Sequence, residues 1–155
     1  MAHLGNSPGI MIPPFLIYFT GFLFSYAIDR FYPIPMFDPP LSIVLAVIAV
    51  IPSAVFGLWS LLEFWRAKTS LLPHRPSSSM VIVVPYRVTR NPMYVSLTIF
   101  YVSLGFLLSI SLAFIILPAV IFIINIYVIR REELYLESKY GEQYRAYKKQ
   151  VGRWS

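Results

Sequence analysis

The chain has no cysteine, only seven acidic residues and no glycine-rich loop. Without cysteine it forms no disulfide, offers no thiolate to a metal ion and has no cysteine nucleophile. The glycine pattern of a phosphate-binding or dinucleotide-binding loop is missing too, which argues against the common soluble nucleotide-binding folds. We therefore expect neither a metal site nor a dinucleotide-binding domain.

Charged side chains are scarce as well. Only 13% of the 155 residues are charged, whereas 57% are hydrophobic, and the mean hydropathy is +0.67. Soluble domains of this size are far less apolar, so the sequence predicts an all-α integral membrane protein. A net charge of +6 could indicate a nucleic acid, but the basic residues stand beside apolar segments. We therefore expect membrane lipids as partners and no nucleic acid.

Residues 93–129 form a long run without a charged side chain. As one helix it would be about 55 Å long, against a hydrocarbon core of roughly 30 Å, so it must fold back on itself. The serines at Ser109 and Ser111 favour a turn there. With two earlier apolar segments, this predicts a single membrane domain with spans at 10–28, 41–62, 93–108 and 112–129. The last two of these four transmembrane helices would form a helical hairpin.

The distribution of lysine and arginine predicts the orientation. These residues are concentrated between the second and third spans and after the fourth, whereas the loop between the first two spans carries only Arg30. The positive-inside rule therefore places both termini in the cytoplasm, together with the polar segments on either side of the hairpin. An active site built from those segments would also be cytoplasmic.

Two segments outside the spans carry most of the polar residues. The loop 69–92 contains several prolines and cannot be one helix, yet its apolar residues 80–84 favour packing against the protein or the membrane interface. The tail 130–155 is predicted to be helical, with a stop at Gly141 and a second helix that carries Tyr144 and Tyr147 on one face. A membrane-skimming loop, a charged collar at Glu132 and Glu133 and an interfacial anchor would also explain these segments.

The order of several short motifs is more specific. They are Pro73-His74-Arg75-Pro76, Met80-Val81, Pro85-Tyr86-Arg87, Arg90-Asn91-Pro92-Met93-Tyr94, Glu132-Glu133-Leu134, and Tyr140-Gly141-Glu142-Gln143-Tyr144 with Tyr147. In this order and spacing they resemble the integral-membrane methyltransferases of the isoprenylcysteine carboxyl methyltransferase and phospholipid methyltransferase superfamily. The resemblance covers residues 69–154 and does not extend to the first two spans.

The resemblance implies a cofactor, S-adenosylmethionine, bound by the cytoplasmic loop and the exit of the fourth span. Carried over position by position, the cofactor-binding residues are Ser78, Ser79, Met80, Val81, Tyr86, Asn91, Pro92, Met93, Tyr94 and Glu132. Apolar and aromatic groups suit an adenine ring, and a glutamate accepts hydrogen bonds from ribose hydroxyls or offsets the cationic groups of the cofactor.

Methyl transfer from a sulfonium requires mainly that the acceptor be held in line with the methyl group and shielded from water. We expect Arg90, Arg131 and Glu133 to be the catalytic residues. Arg90 and Arg131, together with Arg130, would orient an anionic acceptor or a lipid phosphate. Glu133 would hold a cationic headgroup or take a proton from an amine.

The predicted acceptor is lipophilic: a lipid headgroup or a similar hydrophobic compound. The superfamily usually has glycine where Val84 stands and often at Ser96, so the loop turn and the helix approach would differ here. Its prenylcysteine enzymes have histidine at Asn91 and an arginine at Val128, which argues against a prenylcysteine carboxylate. The alternatives are that prenylcysteine, a small hydrophobic thiol, phenol or amine, or a noncatalytic helical membrane protein that binds anionic lipid.

Overall fold

The structure is a computed structural model that describes residues 9–67 and 85–154. Its helices are α1 (Pro14–Asp29), α2 (Pro39–Ala67), α3 (Pro85–Val88), α4 (Pro92–Leu107), α5 (Ser111–Ile123), α6 (Arg130–Tyr140) and α7 (Glu142–Gln150). A π-helical segment, Ile124–Ile129, joins α5 to α6. These ranges contain no strand, so the all-α prediction is confirmed for the part of the chain that they cover.

Four of the helices are apolar. Among the described residues, Pro39–Leu62 and Ser111–Tyr140 are long and apolar enough to cross a membrane, whereas α1 and α4 have 16 residues each. Each predicted span overlaps one of these helices. A 16-residue helix is about 24 Å long, shorter than a typical hydrocarbon core. The number of crossings therefore stays a prediction.

The long uncharged run is broken where its serines stand. α4 ends at Leu107, and Ser109 has a φ of 53°, in the left-handed region that few residues other than glycine adopt. Ser42, near the start of α2, donates a hydrogen bond to the carbonyl of Phe106 and lies 3.2 Å from the hydroxyl oxygen of Ser109. This turn sends the chain back toward the end of the bundle from which α4 started.

Helices α2 and α4 are joined by serine hydroxyls. Ser53 donates to the carbonyl of Ser96 at 3.0 Å, and Ser96 donates to the carbonyl of Ser53 at 2.8 Å. Ser103 donates to the carbonyl of Ala46 at 2.9 Å. Opposite Ser96 lies Gly57, where an added Cβ would be 2.7 Å from the serine oxygen. The superfamily often has a glycine at the position of Ser96. In this chain the small residue that lets the two helices approach closely is Gly57, on the facing helix.

Hydroxyl groups also connect α4 to α1, on its other side. The Tyr18 hydroxyl lies 2.7 Å from that of Thr98, and the Tyr101 hydroxyl lies 3.0 Å from that of Ser25. Because hydroxyl pairs satisfy polar atoms inside an apolar bundle, they define the register of α1 against α4. α4 is thus fixed from both sides, and its first turn has a defined position.

The fourth predicted span contains the π-helical segment. A π-turn closes with an i→i+5 hydrogen bond, so each turn holds more residues than an α-turn and the following side chains are rotated about the helix axis. Ile124, Val128 and Ile129 are fully buried in the core. The apolar part of this helix ends at Ile129, and the charged helix α6 continues beyond it.

The tail folds back onto the bundle. α6 ends at Tyr140. The next residue, Gly141, has a φ of 55° and is the stop that the sequence predicts, and α7 follows it directly. After α7 comes the return segment, residues 151–154. Its Gly152 carbonyl accepts a hydrogen bond of 2.9 Å from the backbone N–H of Arg90. The tail therefore reaches the turn that precedes α4.

Candidate functional site

The two polar motifs meet at one end of the bundle. Pro92 occupies the first turn of α4, where a proline fits because its missing N–H would have no helical partner. This start places Tyr94 beside the first turn of α6. The Tyr94 hydroxyl donates a hydrogen bond of 2.8 Å to Oε1 of Glu132, which is 38 residues further along the chain.

Glu133 lies between two arginines. Nε and Nη2 of Arg153 donate to its two carboxylate oxygens at 2.8 and 2.7 Å, a bidentate ion pair. Nη1 of Arg90 approaches Oε1 from another side at 3.0 Å. The Glu133 side chain is only 9% exposed, so little water screens these contacts. Two cations converge on one buried carboxylate.

Arg90 has unused hydrogen-bonding capacity. Its side chain is 12% exposed, and within residues 9–67 and 85–154 its Nε and Nη1 atoms have no hydrogen-bond acceptor. The contact with Glu133 is therefore an ion pair without the alignment of a hydrogen bond. Buried guanidinium donors without an acceptor are costly, and a carboxylate or a phosphate is the group that satisfies them best.

The turn before α4 is held by the return segment. The carbonyl of Arg153 accepts hydrogen bonds from the hydroxyl of Thr89 at 2.7 Å and from the side-chain amide of Asn91 at 3.0 Å. The Thr89 hydroxyl oxygen also accepts the backbone N–H of Asn91 at 3.2 Å. Thr89 is buried, so these bonds fix the backbone on both sides of Arg90.

Two tyrosines of α7 form one wall of the site. Tyr144 and Tyr147 are buried, with ring centroids 6.0 Å apart, and the Tyr147 hydroxyl donates to the carbonyl of Tyr86 at 2.6 Å. Burial raises the pKa of Tyr147 to about 12, so the phenol stays protonated and remains a donor. The aromatic face predicted for this helix is therefore directed at the site.

The adjacent glutamates have opposite electrostatic environments. Both lie beyond residue 129, outside the predicted span. Burial raises the pKa of Glu132, and the hydrogen bond from Tyr94 only partly offsets this effect. For Glu133, burial acts in the same direction, but the Arg153 hydrogen bonds and the charge of Arg90 outweigh it and lower the pKa. Glu133 is thus held as a carboxylate.

The return segment also contacts the π-helical segment. Trp154 Nε1 donates to the Asn125 side-chain oxygen at 3.3 Å, and the Asn125 amide nitrogen donates to the carbonyl of Ile121 at 3.0 Å. Asn125 thus satisfies its own polar groups inside an apolar helix. The contact joins the end of the described chain to the helix that carries both glutamates.

Of the predicted residues, the structure brings together Arg90, Glu132, Glu133, Asn91, Tyr94 and Tyr86, the last through its backbone. Pro92 is buried at the helix start, and Met93 is exposed on the adjoining face. Ser78, Ser79, Met80 and Val81 lie outside the described residues. Within residues 9–67 and 85–154, no group of three histidine, aspartate or glutamate side chains could hold a metal ion.

Arg131 lies apart from the cluster. Its guanidinium stacks 4.5 Å from the ring centroid of Tyr127, and Nη1 donates to the carbonyl of Gly9 at 3.0 Å. Arg130 is also exposed. Val128, at the position of the superfamily's substrate arginine, is fully buried in the core. An arginine at that position in this structure would face apolar side chains.

Sequence reasoning missed Arg153, Thr89 and Asn125. Asn125 had a usable signal, since it is the only amide in the uncharged run 93–129 and a buried amide requires partners. Thr89 directly precedes the first motif but has no distinctive chemistry. Arg153 is one of several basic residues in the tail, and nothing in the local pattern separates it from the exposed ones.

The fold and the site define a class: a helical membrane protein with a cluster of arginine, glutamate and tyrosine at one end of its bundle. Residues 41–143 match the family described as phospholipid methyltransferase, and the chain belongs to that family. Methyltransferases of this family generally use S-adenosylmethionine. The family resemblance inferred from the motifs is confirmed.

One curated relative is an uncharacterized protein of Haemophilus influenzae, which is 45% identical over 62 residues. That stretch covers 40% of this chain and 98% of the relative. No solved structure matches the chain. Family membership favours membrane methyltransferase activity over the noncatalytic alternative.

Proposed function

We propose that this chain transfers the methyl group of S-adenosylmethionine to a lipophilic acceptor at the cytoplasmic face of a membrane, which it crosses four times. The observation that carries the proposal is the meeting of the two motifs, with Tyr94 bound to Glu132 and Arg90 beside Glu133. A mere charged collar would require no such internal pairing. The acceptor would be a lipid headgroup or a similar hydrophobic compound.

The residues present fit the cofactor. S-adenosylmethionine has a carboxylate, cationic groups and an adenosine, and the site offers groups of matching chemistry. Glu132 would bind hydroxyls or a cationic group, while Asn91, Met93 and Tyr94 would contact the cofactor beside it. The buried donors of Arg90 suit an anionic group beside the cofactor, and we assign that group to the acceptor. Ser78, Ser79, Met80 and Val81 of the loop complete the proposed set, with Tyr86 and Pro92.

When bound, S-adenosylmethionine supplies a methyl group already activated by the sulfonium charge. The contribution of the chain is then to hold the acceptor in line with that methyl group and to keep water out. Glu133, kept ionised by its arginines, suits the binding of a cationic headgroup better than the removal of a proton. Arg90 would orient an anionic part of the acceptor.

Arg131 has a less direct role in this proposal. Its side chain is engaged by Tyr127 and by the backbone of Gly9, at the edge of the same end of the bundle. From there it would attract and orient a lipid phosphate at the membrane surface. A contact with the reacting atoms would require it to leave both partners.

The test uses the detergent-purified chain and S-adenosylmethionine with a radiolabelled methyl group. We expect saturable binding of the cofactor and transfer of label to a component of a total lipid extract. Parallel reactions with a farnesylated cysteine analogue and with small hydrophobic thiols, phenols and amines distinguish the acceptor classes. Binding without transfer to any lipid, but with transfer to one of these compounds, would contradict the lipid acceptor. Absence of cofactor binding would contradict the proposed function.

A further inference from the structure

The return segment, residues 151–154, contacts three parts of the site. The Gly152 and Arg153 carbonyls accept hydrogen bonds from the turn before α4, the Arg153 side chain pairs with Glu133 on α6, and Trp154 bonds to Asn125. These partners belong to different elements. The segment therefore connects the two halves of the candidate site directly.

Arg153 is held at both of its ends. Its carbonyl is fixed by Thr89 and Asn91, and its guanidinium makes two hydrogen bonds of 2.8 and 2.7 Å to Glu133. A bidentate pair restricts the plane of the carboxylate as well as its distance, which a single contact does not do. The orientation of the Glu133 carboxylate is thus coupled to the backbone of the first motif.

The other charged and titratable groups around Glu133 do less to orient it. Arg90 makes an ion pair without hydrogen-bond alignment, and Lys148 on α7 bonds to Glu137 instead. Tyr144 faces the cluster from the same helix, and Glu132 beside it is bonded to Tyr94. Among the described residues, Arg153 alone donates a hydrogen bond to the Glu133 carboxylate.

We propose that Arg153 is a positioning residue for the methyl transfer: it holds the Glu133 carboxylate in the plane and charge state in which Glu133 binds the acceptor. This inference rests on the proposed function. Arg153 acts through Glu133 and does not itself touch the acceptor. Because Tyr94 and not Arg153 holds Glu132, the effect of Arg153 is on the acceptor and not on the cofactor.

The experiment compares Arg153→Ala and Arg153→Lys with Arg145→Ala in the full-length, detergent-purified protein. Arg145 is the matched control because its side chain is 51% exposed and pairs with Glu142 and Glu137, away from Glu133. Four quantities are measured: cofactor affinity, kcat, KM for the acceptor, and the pH profile of kcat/KM for the acceptor. The cofactor is kept saturating, so that the profile follows Glu133 and not Glu132, which belongs to the proposed cofactor site.

For Arg153→Ala we expect KM for the acceptor to rise and kcat/KM to fall by about tenfold or more, with cofactor affinity within about twofold of wild type. The acidic limb of the pH profile should move up by about one unit, since Glu133 loses a cation in direct contact. Arg153→Lys keeps the positive charge but cannot form the bidentate contact. The acidic limb should therefore return to its wild-type position, while KM for the acceptor stays raised. Arg145→Ala should match wild type.

An unchanged pH profile in both Arg153 variants, with uniform loss of activity at all pH values, would show a purely structural role and overturn the proposal. Wild-type KM and profile in Arg153→Ala would overturn it too. If Arg153→Ala does not fold, the split between KM and kcat in Arg153→Lys decides: a raised KM for the acceptor with kcat and cofactor affinity unchanged supports the proposal, and a wild-type KM or a loss of kcat alone overturns it. A wild-type protein that binds no cofactor and transfers no methyl group contradicts the proposed function itself, whereas an active wild type with indifferent Arg153 variants contradicts this inference alone.

Discussion

Tyr94 donates a hydrogen bond of 2.8 Å to Glu132 across 38 residues of chain. Tyr94 is near the start of the uncharged run and Glu132 lies just beyond its end, so only the turn near Ser109 lets them meet. The hydrogen bond therefore links the two ends of the helical hairpin at the candidate site. It also makes the site testable at a single pair of side chains.

Glu132→Ala should weaken cofactor binding by roughly tenfold or more, because a charge-assisted hydrogen bond is typically worth about 1.5 to 3 kcal/mol. The measurement is equilibrium binding of labelled S-adenosylmethionine to purified protein. Glu142→Ala is the control, since that side chain is 86% exposed at the start of α7. Equal affinities for wild type and Glu132→Ala would remove Glu132 from the cofactor site.

Gly57→Ala should destabilise the fold by about 1 to 3 kcal/mol, because its Cβ would meet the Ser96 hydroxyl in an already packed contact. Ser96→Ala alone should cost only about 0.6 kcal/mol for the lost interhelical hydrogen bond. In the double variant the new Cβ would meet only the Cβ at position 96, 3.7 Å away, so the penalty of the Gly57→Ala change should largely disappear. Thermal unfolding in detergent measures this cycle, and additive losses would contradict the predicted contact.

Acid should remove the stabilisation that Glu133 provides. Its pKa in the folded protein lies below the ordinary value of 4.5, so the stabilisation is complete above that pH and is lost as the pH falls toward the folded value. We expect the wild-type melting temperature to drop more steeply below about pH 4.5 than that of Glu133→Gln. Glu142→Gln should keep the wild-type slope. If the melting temperatures of wild type and Glu133→Gln fall in parallel with pH, the ionised Glu133 carboxylate does not stabilise the fold.

A tag inserted at residues 109–111 should be accessible only from the side of the membrane opposite the tail. The reason is that the turn closes the hairpin at the far end of the bundle from Arg90 and Glu133. Labelling of intact and permeabilised cells with a membrane-impermeant reagent gives the answer, and a tag after residue 154 serves as the comparison. Equal access for both tags would overturn the four-span topology.

Much of the fold follows from local properties of the chain. Uncharged length, the serines near 109 and the glycine at 141 each depend on nearby residues, and the observed helices end or turn at these places. The motif order also led to the correct family. The face that a helix presents is harder to predict, because the π-helical segment rotates every residue after it.

The sequence by itself determined the class of protein, the helices and the two polar motifs, since composition, hydrophobic length and turn residues act locally. Tertiary structure alone decided that Gly57 makes room for Ser96, that Arg131 turns to Gly9, and that Arg153, among several similar tail cations, meets Glu133. An arginine or lysine gives no sign in the sequence of whether its side chain is exposed or paired with a carboxylate. Its partner depends on how distant segments pack, and packing is a property of the whole bundle.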